Sequence, residues 1–271
     1  MKKQITWVLA GLSSFLISLA ALAPLPVLVQ QITRIAPEVK FAGVSGTLWH
    51  GKVQRLHTSK IQVDNLYWNF RPSWLLGGYL GADVNAKVQT AIQVKGQCGI
   101  SFLTQVKCAP LTLNSSAREL IKQIPEANEL GMQAQGDISG DFRQIVWNRK
   151  DLPQIEGDIN WRDGSVIAPI VGPLNLGGEY KVRIRESNEL DQAMKLGLES
   201  NETAIVLDGH VDVMDNHDYQ LEIFLKPSGE APPSVGNVLG LLGSQQSDGS
   251  VRLEQRGTLP WPSSDNTQAE Q

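Results

Sequence analysis

The sequence predicts a mainly β protein: a single N-terminal transmembrane helix, followed by a curved, mostly antiparallel β-sheet body with two short helices. Three observations lead there. The stretch from Ile5 to Val29 carries no charged residue. Beyond it, apolar and polar residues alternate with period two in one run after another, as strands with one dry and one wet face do. Glycine is frequent, at 25 of 271 residues, and aromatic residues make up only 6%, which suits many short turns between strands. The 41% hydrophobic content is enough to build a core. A formal net charge of −4 and an isoelectric point near 5.6 exclude a nucleic-acid binder, since neutralising phosphates takes a surplus of Lys and Arg.

Residues 1–4, with Lys2 and Lys3, form a short basic start. Residues 5–30 are long enough to span a hydrocarbon core, which takes about 20 apolar residues in a helix. The two lysines place the N-terminus in the cytoplasm and the body outside it. A cleaved signal peptide is the alternative, because Ala21-Leu22-Ala23 has the small-x-small form of a cleavage site. Pro24 as first mature residue disfavours that cut, and a cut after Ala20 stays open.

Residues 31–261 form the β-rich body. Its clearest run is Leu80, Ala82, Val84, Ala86, Val88, Ile92 and Val94 on one face, with Asp83, Asn85, Lys87, Gln89, Gln93 and Lys95 between them. That spacing predicts one long strand. Leu174, Leu176, Tyr180, Val182 and Ile184 repeat the pattern, as do Tyr219, Leu221, Ile223 and Leu225. Ile205, Leu207, Val211 and Val213 lead into the turn Asp215-Asn216-His217-Asp218. Alternation of this kind marks antiparallel sheets, because parallel ones give unbroken apolar runs. Ser116-Ala117-Arg118-Glu119 predicts a capping box opening a short helix that Pro125 closes. Val235, Val238, Leu239 and Leu242, following Pro232-Pro233, predict a second helix. Residues 262–271 are too polar to bury anything and predict a loose tail.

An internal echo links two segments, about 40–113 and 133–259. Leu66-Tyr67-Trp68 and Leu76-Gly77-Gly78-Tyr79 in the first match Ile159-Asn160-Trp161 and Leu176-Gly177-Gly178-Glu179-Tyr180 in the second. The body therefore reads as two related β units.

Cys98 and Cys108 are the two cysteines. A close pair with strand-like flanks, in an oxidising compartment, reads as a disulfide across a hairpin. A redox pair would show Cys-x-x-Cys, and a structural zinc site needs more ligands. The chain offers no catalytic constellation, no cofactor motif and no metal-ligand spacing. Its four histidines, His50, His57, His210 and His217, fall outside metal-binding spacing, and Ser45 lacks the Gly-x-Ser-x-Gly setting of a nucleophile. Asp208, His210, Asp212, Asp215, His217 and Asp218 could be read as a hard-cation site. Val211 and Val213 interleave them, so they read instead as a solvated strand ending in an Asx-rich turn. Trp49, Trp68, Trp74, Trp147 and Trp161 read as packing residues. Trp74, beside Pro72 and Leu75-Leu76, is the exception: an exposed apolar loop there marks a partner or membrane contact.

These segments, taken in order, resemble the type II secretion system protein N family of Gram-negative bacteria. The resemblance rests on the basic start and single span, then Val44-Ser45-Gly46-Thr47-Leu48-Trp49-His50-Gly51. Leu66-Tyr67-Trp68 and Arg71-Pro72-Ser73-Trp74-Leu75-Leu76-Gly77-Gly78 follow. Glu156-Gly157-Asp158-Ile159-Asn160-Trp161 and Asp248-Gly249, with Val251, Leu253, Gly257 and Leu259, complete it. It implies an accessory, non-enzymatic inner-membrane subunit of the machinery that exports folded periplasmic proteins, with other secretion subunits as partners. The alternative reading is a lipid-handling protein of the AsmA-like β-groove kind, in which Val84, Val88 and Ile92 would line an apolar trough.

Overall fold

The computed structural model describes residues 25, 26, 29, 33, 38–58, 61–89, 91–148, 151–168, 172–187, 192–229, 231, 235, 236, 239, 240 and 243–259. The fold is mainly β. Among the described residues, fourteen strands follow chain order in the sheet, inverted only at the C-terminal end, and each pairing described below is antiparallel. The chain divides into two compact units, residues 1–95 and 96–271.

In the first unit, β1 (Lys40–Gly46), β2 (His50–His57), β3 (Gln62–Arg71) and β4 (Tyr79–Val88) form a meander. The β1–β2 turn is tight. Gly46 takes φ +93°, a region closed to most side chains, and Thr47 N–H donates to the His50 carbonyl at 2.9 Å. Directly across the ladder from Gly51 lies Trp68. A Cβ on Gly51 would come within 2.1 Å of the indole, so the ring rests on bare backbone. Its N–H donates to the Leu48 carbonyl at 2.8 Å. Few side chains here are fully covered: among the described strand residues of this unit, Val53 and Ala86 are the buried hydrophobics.

The predicted long strand from Leu80 to Val94 is two strands. β4 ends at Val88, the chain turns, and β5 (Ile92–Ser101) begins. Gln89 adopts φ +52° and Ala91 N–H donates to the Val88 carbonyl at 3.1 Å. No Gly, Pro, Asn or Asp announces this turn. The spacing also carries the even-numbered apolar positions straight through it, so periodicity could not see the break.

The second unit continues β5 into β6 (Val106–Ser116), where Cys98 and Cys108 are joined with an S–S distance of 2.07 Å. Two short helices follow, α1 (Ala117–Ile121) and α2 (Pro125–Glu129). Ser116 does sit at the N-cap with extended φ and ψ, yet its side chain makes no cap hydrogen bond. Glu119 accepts from Lys122 at 2.8 Å, and without the Ser116 bond the capping box is not completed. Pro125 opens α2 where a closure was expected. At the first position of a helix its missing N–H is no loss and its fixed φ is already helical.

Long strands come next: β7 (Gln133–Trp147), β8 (Gln154–Ala168) and β9 (Gly172–Glu186), then β10 (Gln192–Asn201), β11 (Ile205–Met214) and β12 (Asp218–Pro227). The predicted strands around Leu174–Ile184, Ile205–Val213 and Tyr219–Leu225 are β9, β11 and β12. Ile184, Met194 and Val213 are buried together, with Phe142, Ile155, Ile159, Val182, Leu196 and Tyr219 packed around them. Farther along, Val235, Gly236, Leu239 and Gly240 are helical, and Val235 and Leu239 are buried with Val251 against Leu174, Ile205 and Leu225. That is the second predicted helix, of which Val238 and Leu242 lie outside the described residues. β13 (Ser244–Gln245) and β14 (Val251–Thr258) end the unit, with β14 between β12 and β13. The outward face is laced with cross-strand ion pairs such as Arg183–Glu199 at 2.6 Å and Arg162–Glu179 at 3.0 Å. Each is exposed and contributes well under about 1 kcal/mol.

Most of the predicted anchor, 5–30, and the whole tail, 262–271, lie outside the described residues. Within the anchor, Leu25, Pro26 and Val29 are helical. Among the described residues no helix is long and apolar enough to cross a membrane.

Candidate interaction site

Between β3 and β4 the chain makes a six-residue 3₁₀ turn, Pro72–Gly77. Pro72 presets φ at its start, and Gly78 closes it at φ +77°, with its N–H donating to the Leu75 carbonyl at 3.0 Å. Arg71 and Asp83 bind the strands beneath the turn, Nε to Oδ2 at 2.7 Å. Trp74 folds back onto this base. It meets Tyr79 edge-on, centroids 6.1 Å apart at 87°, and lies on Gly81, where a Cβ would sit 2.4 Å from the indole.

The geometry therefore separates the three residues singled out from sequence. Trp74 is half-buried and anchors the turn, while Leu75 is 45% exposed and Leu76 94% exposed. Leu76 is thus an open apolar side chain on a turn pinned by a proline, a left-handed glycine and an ion pair. Binding through it would lose little conformational entropy.

The other tryptophans are packing pieces. Trp49 tilts onto Phe70, centroids 4.6 Å apart. Trp161 N–H donates to the Gln135 carbonyl at 3.0 Å, and Trp147 N–H to that of Asp151 at 3.1 Å. The Asp and His run at β11–β12 is a hairpin turn. Asp218 N–H donates to Asn216 Oδ1 at 3.0 Å, and Asp218 Oδ1 accepts from the Thr258 hydroxyl at 2.6 Å. Among the described residues, no three His, Cys, Asp or Glu side chains converge in a way that could hold a metal ion. A polar cavity of about 430 Å³ opens beside Gln154, Glu186 and Gln192. It is lined by side chains that satisfy one another, Ser187 Oγ with Gln192 Oε1 at 2.8 Å among them.

Sequence reasoning passed over one exposed feature. Phe102 is 78% exposed and Leu103 89%, at the tip of the β5–β6 hairpin. The signal was available: an apolar pair midway between the two cysteines can neither pair in the ladder nor reach the core.

Three glycines of the motifs quoted above share one geometry. Gly51 faces Trp68, Gly157 faces Phe142 and Gly257 faces Tyr219, each directly across an antiparallel ladder. A Cβ on any of them would come within 2.8 Å of the ring or closer. The aromatic covers the glycine backbone, which compensates for the missing side chain in a strand. Asp248-Gly249 has a different job. Gly249, at φ +81°, lets the chain turn from Gln246 to Ser250. The Ser250 hydroxyl and N–H both donate to Asp248, holding its carboxyl below the usual range.

Fold and site together define a β-sheet protein that presents short apolar turns on a polar, ion-paired surface. The type II secretion system protein N family profile matches residues 37–254, and the chain belongs to that family. Type II secretion system protein N of Vibrio cholerae is 24% identical over 241 residues, 88% of this chain and 89% of the relative. The protein of the same name from Aeromonas hydrophila is 23% identical over 260 residues, 96% of this chain and 100% of the relative. That of Pectobacterium carotovorum is 20% identical over 218 residues, 80% and 83%. No solved structure matches.

Proposed function

We propose that the chain is an accessory subunit of a type II secretion apparatus, held in the inner membrane through residues 5–30. Its β body stands in the periplasm, and the Pro72–Gly77 turn docks on another secretion subunit. The observation that carries this reading is Leu76, almost wholly exposed on a turn whose backbone is fixed from both ends. Strand β1 supplies a second route, since among the described residues it is hydrogen-bonded on one side only, and a free edge accepts another strand.

The test places a photo-crosslinking residue at Leu76 in intact envelopes. Capture of a secretion subunit is expected. Leu76→Asp should leave exported proteins folded but stranded in the periplasm, because a carboxylate in an apolar contact costs several kcal/mol. Undiminished export by Leu76→Asp, with no subunit captured, would overturn the docking role.

A second reading is favoured by a specific observation. Val84, Val88 and Ile92 are only half-buried, although the alternation marks them as a dry face. A lipid chain lying along them would complete that burial. Phospholipid co-purifying with the protein, and lost in Val84→Asn/Val88→Asn, would favour lipid handling; clean protein would remove it.

A further inference from the structure

Among the described residues β1 is paired on one side only, and the ladders behind it specify what its open edge can accept. Phe41, Leu56, Val63 and Val88 lie directly opposite one another across β1 to β4, and Val44, Val53 and Leu66 make a second row. Strand β4 alternates without interruption, so Val84 and Val88, four residues apart, face the same way. Their partners Trp68 and Val63 are five residues apart, a spacing that an unbroken strand sends to opposite faces. Strand β3 therefore holds one residue more than β4, and a register shift between Asp64 and Tyr67 marks the place. Strands β1 and β2 carry an extra residue at the same level. Gly43, Gln54 and Asn65 drop out of the pairings among the three strands, Gly43 at φ +64° and Asn65 at φ +50°. The Gln54 side chain lies against Gly43, where a Cβ would come within 2.4 Å of it. This aligned bulge is what lets Phe41 and Val44, Leu56 and Val53, and Val63 and Leu66 share one face at a spacing of three. All of them are buried or half-buried, while Ala42, Ser45 and Arg55 are exposed.

From this register we infer that the β1 edge takes an antiparallel strand of another protein that carries the same bulge: two apolar residues three positions apart, with exposed positions beside them. The inference rests on the β1 route proposed above and names its partner. A strand without the extra residue can match Val44 or Phe41 but not both, because beyond Gly43 its side chains fall on the opposite face. A bulge on an edge strand guards it against unplanned pairing, and here it also sets the condition for pairing. Within this chain the strands that meet the condition, β2 and β3, are already paired on both sides. A second copy's β1 does not meet it. With the two bulges level and the strands antiparallel, Ala42 of one copy would lie opposite Val44 of the other, and opposite residues must share a face. The incoming strand therefore resembles β2, with apolar side chains across from Val44 and Phe41 and polar ones across from Ser45 and Ala42.

The test uses a peptide copy of residues 49–58 as the bulged strand. Its Arg55→Cys thiol is activated as the thionitrobenzoate disulfide, which places the sulfur across from residue 42, as Arg55 lies across from Ala42 in the protein. The full chain in detergent, with Cys98–Cys108 oxidised, carries Ala42→Cys at the exposed edge or Gln246→Cys in an exposed turn as the untemplated control. Release of thionitrobenzoate measures capture. The bulged peptide is expected to react faster at 42 than at 246. The same peptide with Gln54 deleted should lose that advantage by about fivefold, the worth of two apolar cross-strand pairs. Equal advantage for both peptides at 42 overturns the inference while leaving β1 a strand-accepting edge. No advantage for either peptide overturns the edge route itself. Dimers linked through residue 42 that outcompete the peptide would assign the edge to a second copy, which also overturns the inference.

Discussion

The two units carry the same alternating strands to different ends. In the second, Ile184, Met194 and Val213 close into a core because three long strands and their neighbours bring Phe142, Ile155, Ile159 and Tyr219 over them, and Val235 and Leu239, both helical, cap another patch. In the first, Val84, Val88 and Ile92 have the same period and remain half-buried. Alternation tells which face is apolar; what covers that face decides whether it becomes core or contact surface. The lesson is thermodynamic as well as geometric, since stabilisation follows area removed from water, not pattern.

The largest expected effect tests that contrast directly. Ile184→Ala should lose about 2–4 kcal/mol in denaturant unfolding through lost transfer energy and a cavity, whereas Val84→Ala should lose about 1 kcal/mol or less. Equal losses at the two sites would erase the distinction between the units. Next, replacing both cysteines by alanine should lower stability by about 2–3 kcal/mol, the chain-entropy value for so short a loop. The same variant should raise protease sensitivity at the hairpin first.

Glycines sharpen the comparison further. Gly157→Ala pushes a methyl group into the Phe142 ring and should cost about 1–3 kcal/mol. Gly197→Ala meets nothing within 4 Å and should be neutral, or stabilising by about 0.4–1 kcal/mol. The smallest effect concerns pH. Partial burial raises the Tyr180 phenol above its ordinary value of 10.0, while its hydroxyl donates to the Ile205 carbonyl at 3.0 Å. Folding favours the neutral form, so its contribution is intact below pH 10.0 and fades as pH climbs from there through the raised pKa. Tyr180→Phe should flatten that alkaline decline in a series of urea melts.

Much of this was legible beforehand. Strands β9, β11 and β12 follow from alternation alone, and the turn at Asp215–Asp218 from its Asx residues. The helix at Val235 and Leu239 follows from i, i+4 spacing after two prolines. The break at Gln89 was not legible, because its positive φ falls on a residue with no turn preference and the spacing keeps the apolar parity. Pro125 was misread because one residue type can end a helix or begin one, and only the partner of its neighbour's N–H decides which. At the candidate site the sequence pointed to an exposed apolar turn, and Leu75 and Leu76 are exposed there, but it could not rank the members. Trp74 was the residue singled out for its loop, yet Gly81 gives it a seat, and Leu76 is left outside.

Within each unit nearly every strand pairs with the strand made just before it. Such a meander can be laid down while the polypeptide is still being delivered, each new segment zipping onto a finished neighbour with little loop to close. The exception is β13, which does not pair with β12, because β14 arrives last and lies between the two. Until Val251–Thr258 emerges, the β12 edge stays unsatisfied and sticky. A ribosome halted shortly before Val251 would therefore release a product that is almost entirely built and still prone to aggregate.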